Sequence, residues 1–152
     1  RGGARDFTRG VVRRLRLGWC SAAELPQRRM ARLPAGVDVV VSRQHPNAKE
    51  PNSCTYLYAQ LGVCTLERHA RALMMAQLLR EPCYDVLRTK QQLGYIVWRG
   101  LEISCGVVGY YVQVVSGNYS AGHLHARINA FLHAHLAALE AMPPGAFRQQ
   151  RA

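Results

Sequence analysis

Long apolar runs are missing. The longest, Ala70–Leu79 and Val107–Val115, fall well short of the roughly 18–20 residues that span a bilayer, and no apolar signal region follows Arg1. Paired cysteines are missing too. The five, at 20, 54, 64, 83 and 105, are odd in number and contain no C-x-x-C, which excludes a complete intrachain disulfide framework and a cysteine-only zinc knuckle. A soluble chain in a reducing compartment, cytoplasmic or organellar, is expected. Charge is modest, at 19% of residues against 49% hydrophobic, so neither a disordered nor a collagenous chain fits. The 152 residues allow one ordinary domain and a real core.

Acidic side chains are scarce, nine against 20 basic ones, for a net charge of +11. Nearly all the bases are arginine, and residues 1–32 hold nine of them against Asp6 and Glu24. Such a segment meets nucleic acid, an anionic surface or an acidic peptide, or is simply a solvated basic helix face.

Phe7–Trp19 reads as a basic helix, with Thr8 as N-cap and Val11, Val12 and Leu15 as a short apolar stripe. Residues 1–22 are assigned to it and 23–34, with Pro26 and Pro34, to a linker. Val37–Ser42 is a β-branched run and Ser53–Leu61 alternates, with turn residues between, so the two are expected to form a hairpin.

From Thr65, a cap, the period becomes helical, with Leu66, Ala70, Leu73, Met74 and Leu78 on one stripe. Pro82 ends or kinks that helix near Arg80. A second helical piece, Tyr84–Gln92, closes at Gly94 as a left-handed cap. Tyr95–Arg99 and Val107–Val115 read as strands around a turn containing Gly100 and Gly106. Leu124, Ile128, Phe131, Leu132, His135 and Leu139 mark a further helix stopped by Met142-Pro143-Pro144-Gly145, and Phe147–Ala152 starts another that stays unfinished. The order predicts an α+β fold in two layers, helices on one face of a mainly antiparallel or mixed sheet, with residues 35–152 as the domain, incomplete at its C-terminus.

Catalytic strings are absent. No H-E-x-x-H, H-x-x-E-H, G-x-S-x-G, P-loop or dinucleotide fingerprint occurs. His123, His125, His133 and His135 are separated by 2, 8, 10 and 12 residues, whereas helical chelation needs three or four. Cys83, near a helical start after Pro82, is either an activated nucleophile or a packed thiol. Cys105–Val112 matches an RNA-recognition strand only weakly, since Cys105 and Val107 replace its base and aromatic.

One string is specific. Glu81-Pro82-Cys83-Tyr84-Asp85-Val86-Leu87-Arg88-Thr89-Lys90-Gln91-Gln92-Leu93-Gly94-Tyr95 closely resembles the E-P-C-F-x-x-L-R-T-K-x-Q-L-G-Y stretch of the insulysin and nardilysin group of zinc peptidases. Pro51-Asn52-Ser53 leading to Tyr58-Ala59-Gln60 is similar to that group's P-N-S strand ending in Y-Y-Q, with Ala59 in place of the second tyrosine. Ile128–Leu132 and Ala146-Phe147 match its E-x-F-L and E-A-F helices loosely. The resemblance covers roughly residues 33–150, and 7–19 more faintly, as the last helix of a preceding domain.

What the resemblance implies is a clamshell of four α+β domains, two per half, around a peptide chamber. The zinc and the H-x-x-E-H glutamate sit in the first domain, and this chain resembles the fourth. It implies further that the parent's zinc-bearing N-terminal half and peptide substrates are the partners, and that zinc is bound by the parent and not by this chain; no membrane is expected from the short apolar runs, and nucleic acid ranks behind peptide as a partner. By the family's pattern Arg88 and Tyr95 contact substrate near the scissile bond, and Tyr84 stands at the aromatic position of the same pocket. Without the resemblance, Arg88 reads as pairing with Asp85 one turn back and Tyr95 as opening a strand. The alternatives are a degenerate peptide-binding partner subunit and, behind it, an arginine-rich nucleic-acid binder. On the histidine spacing, the chain alone retains no stoichiometric zinc after dialysis, and metal analysis of the untagged protein checks this. One tightly held zinc per chain is the contrary result.

Overall fold

The computed structural model describes residues 2–16, 18, 20–26 and 28–151. Helix α1 spans Gly2–Arg14. Because it starts at Gly2, Thr8 is not a cap but an interior residue whose hydroxyl donates to the Ala4 carbonyl at 2.8 Å. Leu17 and Trp19, the end of the expected helix, and Gln27 in the expected linker lie outside the described residues.

Strand β1 (Ser53–Val63) follows, then α2 (Leu66–Leu78), α3 (Arg80–Tyr84) and a π-helical turn, Asp85–Lys90. Strands β2 (Ile96–Ser104) and β3 (Val107–Ser116) form a hairpin. Helices α4 (Ala121–Glu140) and α5 (Pro144–Arg151) complete the order. The sheet is antiparallel with strand order β1-β3-β2, and the α+β expectation holds.

The Val37–Ser42 run forms no strand. Its valines Val39, Val40 and Val41 lie in the open, and β1 pairs with β3, 50 residues further on. Branched side chains favour a pleated surface only when one is available to pack against. The β2–β3 turn is tighter than expected. Gly100 sits within β2, and Cys105 and Gly106 alone make the turn, both with positive φ (50° and 74°), the two-residue geometry that matches strand twist.

β3 is the axis of the core. Val108, Tyr110, Val112, Val114 and Ser116 alternate onto the helix side and are all buried. Leu79, Cys83 and Leu87 press on them at four-residue spacing, with Leu124, Ile128 and Phe131 of α4 completing the cluster. That stripe also fixes α2. The expected face through Leu66 and Leu73 points outward, Leu66 being 89% exposed, while Ala72, Met75, Ala76 and Leu79 point in. Both stripes are apolar, and the one that continues into Cys83 and Leu87 buries more surface. Thr65 caps α2 through the Arg68 amide at 3.2 Å, and Ser120 caps α4 through the His123 amide at 3.3 Å.

Gly94 is no left-handed cap; Gln92 takes the positive φ (49°) instead. A Cβ on Gly94 would stand 2.0 Å from the Val115 carbonyl oxygen, a backbone atom that cannot swing away. Gly94→Ala is therefore expected to cost about 3 kcal/mol, the upper end for overpacking. Gly122→Ala, in open space within α4, should gain roughly 0.5–1 kcal/mol from helix propensity. Thermal unfolding of the two variants beside the parent checks both, and equal melting temperatures would contradict the packing.

Candidate functional site

A cavity of about 510 Å³ lies where β1 begins, β2 begins and β3 ends, lined by Asn52, Arg88, Gln92, Tyr95, Gly117 and Asn118 with the Gly94 backbone. Arg88 reaches it from the π-helical turn and Tyr95 from the entry to β2. Two residues that the sequence separates by a helix end thus share one opening.

The π turn explains how Arg88 is released. Its hydrogen bonds reach further back than in an α-helix: the Gln91 amide donates to Val86, five residues earlier, and the Leu93 amide closes the turn on Leu87, six residues earlier, both at 3.0 Å. The wider turn carries the residue three positions on from Asp85 off its face and brings the one five positions on toward it. Asp85 accordingly pairs with Lys90 at 2.6 Å, and the Asp85–Arg88 pair does not form. Among the described residues Arg88 makes no ion pair, while Leu87 beside it is fully buried and anchors the turn.

Tyr95 is 57% exposed. Its backbone is fixed by the amide donating to the Val115 carbonyl at 3.2 Å, and the residue lines the cavity with Arg88. Tyr84 does not line it. Tyr84 lies one helical turn earlier with the Arg99 guanidinium 6.0 Å from its ring centre, within cation–π range. Arg99 itself is held by a 2.9 Å hydrogen bond from its Nε to the Arg80 carbonyl.

Sequence reasoning singled out neither Asn52, Gln92 nor Asn118 as site residues. Asn52 is oriented by Glu50, whose carboxylate Oε1 accepts from both its backbone amide and its side-chain amide. That leaves the Asn52 carbonyl oxygen on the Gly117 side, 3.3 Å from where a glycine Cβ would stand. The Asn118 amide donates to the buried Ser116 hydroxyl at 3.1 Å, which closes the turn that carries Asn118 to the rim. The signal for Asn52 was the P-N-S match. Asn118, in a short polar turn, had none.

Chemically, the cavity offers a guanidinium, a phenol and carboxamides, groups that hold a peptide by its carbonyls and amides. No three His, Cys, Asp or Glu side chains gather where they could hold a metal ion among the described residues. Cys83 proves to be the packed thiol: it is fully buried, and burial pushes its pKa up to about 11, with Arg99 only partly opposing.

A sequence profile described as PQQ synthase PqqF-like, C-terminal lobe domain 4, matches residues 74–152. The insulin-degrading enzyme of Drosophila melanogaster is 34% identical over 130 residues, covering 86% of this chain and 13% of that protein. Nardilysin of Homo sapiens is 28% identical over 147 residues, covering 95% and 13%. The crystal structure of pitrilysin superimposes with a TM-score of 0.57 at 25% identity, over 67% of this chain and 11% of that one. The chain thus spans about one eighth of the length of these curated relatives.

The raised Cys83 pKa generates a prediction. In the unfolded chain the thiol ionises near pH 9, so between there and about pH 11 the unfolded state binds fewer protons than the native one. This thiol's contribution to stability is complete below pH 9 and declines as pH rises through that window. At pH 8, iodoacetamide should label the exposed Cys20, Cys54 and Cys105 and reach Cys83 only after denaturation. Mass spectrometry of the native digest checks it, and early labelling of Cys83 is the contrary outcome.

Proposed function

The chain belongs to the insulinase family of zinc metallopeptidases, as a domain of the C-terminal lobe, and from that premise we propose that it walls a peptide-enclosing chamber and supplies substrate contacts to a zinc site elsewhere in the parent protein. The observation that carries the reading is the convergence on one cavity of Arg88, without an acidic partner among the described residues, and Tyr95. In the parent, the metal-bearing part supplies the polarising and water-activating chemistry. This chain's residues bind and orient. The Arg88 guanidinium and the Tyr95 hydroxyl donate to a substrate carbonyl and favour the negative charge that grows on it, an effect of about 2.7–4 kcal/mol for a well-placed donor. The Asn52 and Asn118 side chains hold the peptide backbone beside them. Helix α1 is read as the end of a preceding domain, and the partner of this chain as the zinc-bearing half of the same protein in a reducing compartment.

Steady-state kinetics of the full-length parent test the reading. Tyr95→Phe and Arg88→Ala should each lower kcat and kcat/KM together by about 10²-fold, because the interaction is strengthened only in the transition state. Zinc content should stay at the parent's level. A rise in KM alone assigns the pair to ground-state binding. Activity within about twofold for both variants refutes the contact role, assigns the motif to packing and leaves this domain a wall of the chamber.

A further inference from the structure

The cavity that holds Arg88 and Tyr95 takes its walls from three places in the chain. Asn52 stands just before β1, Arg88 and Gln92 on the π-helical turn and its exit, and Gly117 and Asn118 just past β3. Helix α4 contributes no lining residue, yet it is fastened to all three. The Thr55 hydroxyl of β1 donates to the Ala121 carbonyl in its first turn at 2.9 Å. The segment joining it to β3 is closed by the buried Ser116 hydroxyl, which accepts the Asn118 and Tyr119 amides at 3.1 Å, before Ser120 caps the helix.

The third tie is one side chain. Arg127, six residues into α4, donates from Nε to Gln91 Oε1 at 2.8 Å. A charged donor strengthens such a bond, and the planar guanidinium gives it a direction as well as a charge. No carboxylate pairs with Arg127 among the described residues. Gln91 is the residue at which the chain leaves the π turn: its amide closes the turn on Val86, and Gln92 after it takes the positive φ that reverses the backbone. Gln91 also fills the position between Lys90 and Gln92 that the E-P-C to L-G-Y pattern leaves open, so the pattern itself gives this contact no account.

Burial of Leu87 and Leu93 holds the inner side of the turn. On the outer side Gln91 is half-buried and Arg127 exposed, so their bond adds modestly to folding. Its effect is on placement. A turn anchored only at its buried side can still rotate about that anchor, and Arg88 and Gln92, which flank Gln91 on the cavity wall, move with it.

We propose that Arg127 is a positioning residue: acting through Gln91, it braces the π turn against α4 and so sets how far Arg88 on one wall of the cavity stands from Asn118 on the other. The brace is a property of this chain, while its consequence for catalysis rests on the function proposed above.

Two experiments separate these. In the isotopically labelled 152-residue chain, NMR follows the Arg88 Nε–H and the Asn118 amide, neither adjacent in sequence to a substituted position. Arg127→Ala should shift both while unfolding stays cooperative, Gln91→Ala should shift them likewise, and Gln91→Glu, which keeps the acceptor oxygen, should leave them in place. Unmoved signals in Arg127→Ala overturn the brace. In the full-length parent, Arg127→Ala should lower kcat about five- to tenfold with KM within about twofold, the signature of a displaced group and not of lost substrate binding. In an Arg88→Ala background the same substitution should cost nothing further, because it acts through Arg88. A loss that multiplies with that of Arg88→Ala overturns the positioning role. Shifted NMR signals together with full activity of Arg88→Ala support the brace and strike only the chamber-contact role.

Discussion

Gly94 has no room for a side chain, and much of the molecule turns on that lack. The backbone at Gly94 runs against the Val115 carbonyl, and the next amide, of Tyr95, donates to that same oxygen. A single acceptor near the end of β3 therefore pins the exit of the π-helical turn to the sheet. Any residue with a Cβ would force the two apart, and with them Arg88 on the turn and Tyr95 at the strand entry. The contact is between backbones, so no side-chain rearrangement relieves it. Gln92 absorbs the reversal two residues earlier by taking a left-handed conformation, which is uncommon for a residue with a side chain. It persists because Leu93, buried at 2% exposure, leaves the chain no other way to turn while staying in the core.

The core supplies the force that the pin directs. Leu79, Cys83 and Leu87 form one buried line across the end of α2, the α-helical α3 and the π turn. A continuous α-helix holds such a line while also keeping Asp85 near Arg88. The wider turn keeps Leu87 buried but moves the facing residue to Lys90, which neutralises Asp85 on the surface. An exposed pair of that kind stabilises little. Its consequence is local: the one acid within a turn of Arg88 is already engaged, and the guanidinium remains available at the cavity.

Local signals carried most of the elements. Thr65, Pro82 and the Leu124 to Leu139 stripe each act through near neighbours, and each was legible. Failures arose where a distant partner decided. Val37–Ser42 has every strand propensity and no strand to pair with, whereas β1 finds β3 some 50 residues on. In α2 two apolar stripes compete, and burial of Cys83 and Leu87 beyond the helix end chooses between them. The π turn leaves no compositional trace, since its mark is a hydrogen-bond offset and not a residue type. Gly94 was noticed for the wrong property: its φ is ordinary, and steric exclusion is what demands glycine there. Arg88 and Tyr95 were legible only through the E-P-C to L-G-Y string, and Asn118 reaches the same cavity through a turn that no string announces.

The two faces of the sheet show how one strand set serves two demands. On β3 the helix side is a run of branched residues and a buried tyrosine, which pack against α3 and α4. The other side alternates tyrosine and glutamine with a glycine, and β2 places Gly100 and Glu102 beside them. A purely structural open face in an antiparallel sheet is expected to be polar along its length. Here tyrosines and a tryptophan stand on that face, and Tyr58 lies over Gly109, where a Cβ would not fit, although a strand glycine adds nothing to strand stability of its own. At Gly109 a Cβ would come within 2.3–2.4 Å of the Tyr58 ring and force it aside, whereas at Gly100 it would meet Tyr111 at ordinary contact distance. In a chain with nine acids against 20 bases, Glu102 accepts the Tyr56 hydroxyl and has no basic partner among the described residues.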